Sequence, residues 1–292
     1  MLEMPAVIDE ISAAYKGLSP QMQRAAVVVL DDPRAVAVHS MRSMAARAGV
    51  SPPTMLRLAT RVGFPNYEAF RDVFRNSVAT GNYGDRADNL RRSTGQDGIA
   101  GLIGRTAEAA IQGIEGFSET VFSHEIERVA EMAVDAETTY VVASGASFGQ
   151  AASFHYVCRM AMPGMELANN MGIRAIDGLA TAGPKDMVLA ISTSPYAAQT
   201  VEAAEFAHRR GVPVAAVTDR RSSPIALIAE AAVCIDTSSP HFFPSMITLN
   251  ATLEILSAAI AVKLGPDGVK AISNYEISLR ESGYYWQDPD DR

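Results

Sequence analysis

The segment SMRSMAARAGVSPPTMLRLATRVGF, residues 40–64, decides how the first part of the chain folds. Ser40 can cap a short helix with one apolar stripe, and Gly49 follows where a helix end favours positive φ. Ser51 and Pro52 then open a second helix, as capping residue and first-turn proline. The pattern predicts two helices joined by a tight turn.

The second of these helices has two faces of different chemistry. Its apolar residues fall within one arc of about 100°; they are Met55, Leu58, Ala59 and Val62. Thr54, Arg57 and Arg61 fall in another arc, which we expect to face outward. Such a face can read base edges in the DNA major groove, where arginine pairs with guanine or holds phosphates. With Ser51 they are the candidate DNA-binding residues; the alternative is a solvated arginine face.

The distribution of charge fits a small DNA-reading module attached to an acidic protein. The 292-residue chain has a formal net charge of −8, which argues against indiscriminate binding to nucleic acid or anionic membranes. Residues 1–80 nevertheless hold nine Lys or Arg against seven Asp or Glu, whereas the remainder holds 16 against 26. The first part of the chain is therefore locally basic.

No metal, cofactor or membrane segment is predicted. The two cysteines, Cys158 and Cys234, lie far apart in apolar surroundings, as reduced core thiols do. The N-terminus is acidic and lacks the apolar core of a signal peptide. The longest apolar stretch, 246–264, is interrupted by polar and charged residues, so we expect a buried helix and a cytoplasmic protein.

The pattern of periodicity changes along the chain. Residues 1–78 carry apolar residues at helical spacing only, and residues 79–97 are polar and rich in Gly, Asn and Asp, which predicts a linker. From residue 98 to residue 292, apolar strands alternate with helices, which predicts a parallel sheet covered on both faces. The predicted strands are 139–143, 165–168, 186–191, 212–217 and 231–236. The predicted fold is an all-α domain followed by an α/β domain with a five-stranded parallel sheet.

The first domain resembles the N-terminal domain of RpiR/MurR-type bacterial transcriptional regulators. The resemblance rests on LSPQMQRAAVVVLDDP from Leu18, on the A-x-x-A-G-V-S-x-x-T pattern from Ala45, and on NYEAFRDVF after the second helix. Thr60 stands where the family usually has a basic residue. The resemblance implies a helix-turn-helix domain followed by a SIS (sugar-isomerase) domain, an αβα sandwich.

The SIS resemblance implies an effector site formed by two loops. One loop is SGAS, ending at Ser147, although that serine could instead cap the next helix; its glycine spacing does not match a dinucleotide fingerprint. The other is ISTSPY, which contributes Ser192, Thr193, Ser194 and Tyr196. The family's phosphate loop, S-x-S-G-x-T, here has Pro195 for glycine and Ala197 for threonine. We therefore expect an effector pocket without the usual sugar-phosphate grip, and a helix that starts at Ser194-Pro195.

Two functions are compatible with these features. The first is a DNA-binding regulator, a homodimer or homotetramer that binds a palindromic double-stranded operator and senses a small anionic or sugar-derived effector. The second is a phosphosugar isomerase with an appended helical assembly domain. An isomerase needs a carboxylate base and usually a histidine, and no such pair is placed by the sequence. We therefore expect a regulator and no catalytic residues.

Overall fold

The computed structural model describes residues 4–80, 83–169 and 174–286. The chain divides into two compact units, Met1–Gln96 and Asp97–Arg292.

The first unit is helical throughout its described residues. Its helices are α1 (Met4–Ala14), α2 (Pro20–Asp31), α3 (Pro33–Val38), α4 (Met41–Arg47), α5 (Pro52–Arg61) and α6 (Tyr67–Thr80), with a 3-10 turn at Tyr15–Gly17. Side chains cap three of them: Ser19 accepts from the Met22 amide, Asp32 from Ala35, and Ser40, as the sequence predicts, from Ser43. The helices enclose one apolar core, in which Phe70, Phe74, Met44 and Leu58 are fully buried.

The turn between α4 and α5 has the geometry that its glycine predicts. Gly49 has φ of 61°. Its amide donates to the Ala46 carbonyl at 3.1 Å, and the Val50 amide donates to the Ala45 carbonyl at 2.9 Å. These two bonds form a Schellman motif, which satisfies the last carbonyls of α4 and requires the positive φ that glycine adopts without strain.

The segment predicted as a linker is helical where the structure describes it. Helix α7 runs over Tyr83–Glu115, with an interruption at Gly98, where φ is 67°. In its first part Asp88 pairs with Arg91 at 2.9 Å and with Arg92 at 2.6 Å. Such i,i+3 and i,i+4 pairs stabilise a helix that has little apolar surface. The polar composition of 79–97 therefore predicted a linker where the chain is helical.

The second unit is built on a five-stranded parallel sheet, as predicted. Its strands are β1 (Thr139–Ala143), β2 (Met165–Leu167), β3 (Met187–Ile191), β4 (Val214–Thr218) and β5 (Ala231–Cys234), in the order β2-β1-β3-β4-β5. Its helices are the second part of α7, α8 (Thr120–Asp135), α9 (Ser147–Cys158), α10 (Ala175–Gly178), α11 (Ala198–Arg209) and α12 (Ile247–Glu281), with a 3-10 turn at Gly116–Ser118. Buried clusters cover both sheet faces. In this strand order, the connections diverge at β1 and β3, where ligands of such sheets bind.

The apolar periodicity also predicts helices at 173–182, 224–230, 245–264 and 267–281, and these four differ from the structure. Residues 224–230 form turns instead of a helix, because the Glu230 amide bonds to the Val214 carbonyl at 2.8 Å and so joins the β4 edge. The predicted helix 173–182 is described as helical only over Ala175–Gly178, and residue 173 lies outside the described residues. The predicted pair 245–264 and 267–281 is one helical run with a break at Gly265.

Helix α12 is long and apolar enough to cross a membrane by length and composition alone. One face of its first part is nevertheless buried in the core of the second unit through Leu249, Leu253, Leu256 and Ile260. A core helix of a soluble protein passes the same length and composition test, so the helix is weak evidence for a membrane span.

Candidate functional site

The outer face of α5 carries Arg57 and Arg61, and both are exposed. The opposite face packs into the core through Met55, Leu58 and Ala59, each fully buried. The predicted outward position of Thr54 is wrong, since its side chain is only 2% exposed. Thr54 precedes the buried Leu58 by four residues, which puts both on nearly the same side of a helix.

The buried Thr54 hydroxyl organises the start of α5. It lies 3.0 Å from the Ser51 hydroxyl and accepts from Arg57 Nη2 at 3.2 Å. Arg57 also donates from Nε to the Pro53 carbonyl at 3.4 Å. Ser51 occupies the N-cap position but makes no side-chain bond to a helix amide, because its hydroxyl faces Thr54 instead. Thr54 therefore positions the Arg57 guanidinium.

The basic segment 41–80 contains six arginines, and three are held within the first unit. Arg47 pairs with Asp32 at 3.2 Å, Arg71 donates to the Val38 carbonyl, and Arg75 pairs with Glu68 at 2.7 Å. The other three have no acidic partner within 4.0 Å among residues 4–80 as described: Arg42, Arg57 and Arg61. Arg42, on α4, is an exposed cation that the list of candidate DNA-binding residues did not include.

In the second unit, the carboxyl ends of β1 and β3 bring the two predicted loops together. Ala143 pairs with Ile191 in the sheet, so Ser144 and Ser192 leave neighbouring strands at the same level. Ser147 is the first residue of α9 and is 6% exposed. It does not cap that helix, because the N-cap position is Ala146. Both loops thus meet at the topological switch point of the sheet.

The ISTSPY loop is held by bonds to its own side chains and to β4. Ser192 and Thr193 are 3% and 6% exposed, and the Ser192 hydroxyl accepts from the Ala197 amide at 3.3 Å. The Ser194 amide donates to Asp219 Oδ1 at 3.3 Å, and the Ser194-Pro195 bond is cis. The prediction that a helix starts at Ser194-Pro195 is wrong. Helix α11 starts at Ala198, because the Ser194 and Ala197 amides donate to side chains instead.

An ion pair lies directly beside this loop. Asp219 Oδ2 accepts from Arg220 Nε at 2.9 Å and Nη2 at 2.8 Å, and the two side chains are 10% and 14% exposed. The Arg220 guanidinium lies 6.0 Å from the centre of the Tyr196 ring. Burial, reinforced by the Asp219 carboxylate, raises the pKa of Tyr196 above its usual value of 10.0. The sequence prediction did not include this pair.

Several buried polar atoms around these loops have no hydrogen-bond partner among the described residues. They are Ser144 Oγ, Gln150 Oε1, Asn169 Oδ1, the Tyr196 hydroxyl and Thr200 Oγ1. All of them follow the carboxyl end of a strand or lie in the first turn of the next helix. Buried polar groups are rarely left unsatisfied in native proteins, so this edge of the sheet is suited to a polar ligand.

The described residues contain no group of three or more His, Cys, Asp or Glu that could hold a metal ion. His155, on α9, donates from Nε2 to the Met165 carbonyl at 3.1 Å, and burial lowers its pKa from the usual 6.5. His241 bonds within its own loop, where its Nδ1 accepts from the Phe243 amide at 3.1 Å. Both of these histidines therefore bond to backbone groups.

Comparisons with known proteins match the second unit to a domain family and nearly the whole chain to transcriptional regulators. Residues 133–262 match the SIS domain model. An HTH-type transcriptional regulator of Thermotoga maritima is 21% identical over 93% of this chain and 96% of its own length. The HTH-type transcriptional regulator HexR of Pseudomonas aeruginosa is 22% identical over 96% of this chain and 98% of its own.

Two solved structures share the fold. The Vibrio vulnificus NanR protein complexed with ManNAc-6P superposes with a TM-score of 0.57, at 15% identity, over 94% of this chain and 98% of that one. The sugar isomerase domain of an RpiR transcription factor from Sphaerobacter thermophilus gives 0.56, at 24% identity, over 60% of this chain and 98% of that one. The chain therefore contains a SIS domain and is homologous along its length to HTH-type transcriptional regulators.

Proposed function

We propose that this RpiR-type regulator with a C-terminal SIS domain binds DNA sequence-specifically and changes its DNA affinity when a small sugar-derived metabolite binds. The observation that carries the proposal is the exposed arginine face of α5, found on a chain that is homologous to DNA-binding regulators over nearly its full length. A cytoplasmic location follows from this role.

Helix α5 is the proposed recognition helix. Its packed face fixes it against the first unit, and Arg57 and Arg61 project from the other face towards the major groove. Either arginine can pair with guanine O6 and N7 or hold a phosphate. Arg42 on α4 and Ser51 at the start of α5 are also exposed, while Thr54 acts through Arg57.

A palindromic operator and a homodimer or homotetramer complete the proposal. Paired recognition helices require two-fold symmetry, with half-sites one helical turn apart. Helices α7 and α12 expose large apolar side chains that a second copy can bury; they include Ile99, Ile103, Ile111, Val262 and Val269.

The proposed effector site is the carboxyl edge of the sheet in the second unit. The relative solved with ManNAc-6P supports a small sugar derivative as the class of ligand. Ser147, Ser192, Thr193, Ser194 and Tyr196 are the proposed contacts, since they form the two loops at the switch point. A ligand alters DNA affinity only if it prefers one of two arrangements of the protein.

A binding-site selection tests the DNA-binding part. The purified protein is used to select fragments from a random-sequence DNA pool, and enriched fragments should contain two inverted half-sites. Arg57→Ala and Arg61→Ala should each weaken binding to the selected operator by roughly five- to 150-fold, equivalent to about 1–3 kcal/mol per lost contact. Arg47→Ala is the matched control, because Arg47 is exposed but paired with Asp32. Unchanged operator binding in both test variants would exclude α5 as the recognition helix.

The rival function is a phosphosugar isomerase. A SIS domain and the fold shared with isomerase domains keep this alternative open. Incubating the protein with a panel of aldose and ketose phosphates, and following interconversion by NMR, separates the two functions. The proposal expects no turnover above the uncatalysed rate, whereas steady conversion that follows enzyme concentration would establish the isomerase.

A further inference from the structure

The most informative feature beyond the proposed function is an internal carboxylate at the ISTSPY loop. Backbone amides in such a loop, near a helix N-terminus, are where an anionic ligand finds its donors. Here the Ser194 amide already donates to Asp219 Oδ1 at 3.3 Å, and the Thr218 hydroxyl donates to the same oxygen at 3.4 Å. The protein's own carboxylate thus takes the hydrogen bonds that a phosphate oxygen would accept.

The positive charge beside the loop is also neutralised from within. Nε and Nη2 of Arg220 both contact the same carboxylate oxygen of Asp219, and this pair is largely buried. The next cations along this edge have carboxylate partners as well: Arg221 lies 3.5 Å from Glu125, and Arg174 lies 3.5 Å from Glu202. A phosphate placed at the loop would meet a buried negative charge whose counter-ion is already engaged, so its desolvation would not be compensated.

The loop itself has few donors left for an anion. Pro195 has no amide hydrogen, and the Ala197 amide is used by the Ser192 hydroxyl at 3.3 Å. What the surroundings do offer are acceptors and hydroxyls without partners: Asn169 Oδ1, Gln150 Oε1 and the hydroxyls of Ser144 and Tyr196. Acceptors of this kind are satisfied by ligand groups that donate hydrogen bonds.

We infer that this site selects an unphosphorylated ligand, a neutral sugar or polyol, and that Asp219 is the residue that excludes a phosphate. The ligand's hydroxyl groups donate to Asp219 and to the neighbouring unpaired acceptors, while Arg220 holds the carboxylate in place. This inference rests on the proposed effector site and specifies its ligand class.

Inorganic phosphate is the probe that tests the exclusion, because it needs no knowledge of the natural ligand. Thermal unfolding of the full chain is measured with phosphate up to about 10 mM, with sodium chloride holding the ionic strength constant; a ligand that binds the folded state raises the midpoint in a saturable way. Wild type should show no saturable rise. Asp219→Ser should show one, because the variant frees the Ser194 amide and removes the negative charge from beside Arg220.

Two further variants make the result specific. Asp219→Asn keeps the side-chain shape and replaces Asp219→Ser if the latter does not fold; it should also gain phosphate binding. Asp135→Asn removes an exposed carboxylate at the end of α8, before β1 enters the sheet, and should behave as wild type. A saturable phosphate effect in wild type equal to that in the Asp219 variants overturns the inference. Failure of both Asp219 variants to gain phosphate binding overturns it too.

A panel of sugars, each tested beside its own phosphate ester, extends the experiment to real ligands. Any sugar that binds wild type should have an affinity at least about tenfold higher than that of its phosphate ester. Asp219→Ser should reverse that preference. A phosphate ester that binds wild type more tightly than its parent sugar contradicts the inference. Operator binding of the same preparations is measured in parallel, because loss of the proposed function would appear there and not in the phosphate titration.

Discussion

Replacing Thr54 by valine should weaken operator binding without unfolding the first unit. The Thr54 side chain is 2% exposed, so the isosteric valine keeps its packing. What the variant loses is the hydroxyl that accepts from Arg57 Nη2 at 3.2 Å and contacts the Ser51 hydroxyl at 3.0 Å. Arg57 then has to be ordered by the DNA itself.

The size of the effect follows from those two contacts. A hydrogen bond of this kind contributes about 0.5–1.5 kcal/mol net, and the exposure of Arg57 favours the lower part of that range. We therefore expect a loss of about 1 kcal/mol in binding free energy, or roughly fivefold in Kd. The free energy of unfolding should change by less than about 1 kcal/mol, because the valine buries no unsatisfied hydroxyl.

Fluorescence anisotropy with a labelled operator at one fixed salt concentration measures the effect, since salt alone changes such affinities strongly. A double-mutant cycle with Arg57→Ala then shows whether the effect of Thr54→Val acts through Arg57. In the Arg57→Ala background, Thr54→Val should change Kd by less than about twofold, because there is no guanidinium left to position. An equal penalty for Thr54→Val in both backgrounds would refute the positioning role.

Further predictions concern phosphate contact, backbone packing and pH. If Arg61 holds a phosphate, Arg61→Ala should lower the slope of log K against log salt by about one, measured by repeating the anisotropy titrations at several salt concentrations. Gly178→Ala should cost more than about 2 kcal/mol in a denaturant titration, because overpacking is costly and the new Cβ would lie 2.1 Å from the Ala168 carbonyl oxygen. Gly104→Ala, on α7 with no atom within 4 Å of its Cβ, should be neutral or slightly stabilising. Burial lowers the pKa of His155 from 6.5, so its neutral form favours the folded state. Stability is therefore complete above that pH and falls as the pH decreases through 6.5 towards the lower folded pKa; thermal melts of His155→Gln should show a smaller decrease.

The parts of the fold that depend on local sequence could be predicted from it. The caps at Ser40 and the positive φ at Gly49 are set by residues within one helical turn, and α4 and α5 begin where those signals stand. Strands β1, β3 and β4 are continuous buried runs, as expected for a sheet that is covered on both faces. The part of α7 before Gly98 was predicted as a linker, because charge pairs, rather than an apolar stripe, support it.

The geometry of the candidate sites was predicted less well than the fold, because it depends on residues that are distant in the sequence. Thr54 lies at the border between the two faces of α5, so a helical projection alone misplaced it. The loop residue Ser194 and its carboxylate partner Asp219 are 25 positions apart and meet only because β3 and β4 are neighbours in the sheet. The Thr218-Asp219 pair at the end of an apolar run was the signal that could have identified that contact.

The central claim is that one chain couples a small ligand to DNA, and reciprocity tests it most directly. The affinity for the operator is measured with and without saturating effector, and the affinity for the effector with and without saturating operator. The account predicts the same factor in both titrations, between about five and 150, because coupling free energy is shared by the two sites. An effector affinity that is the same with and without bound operator would contradict the account.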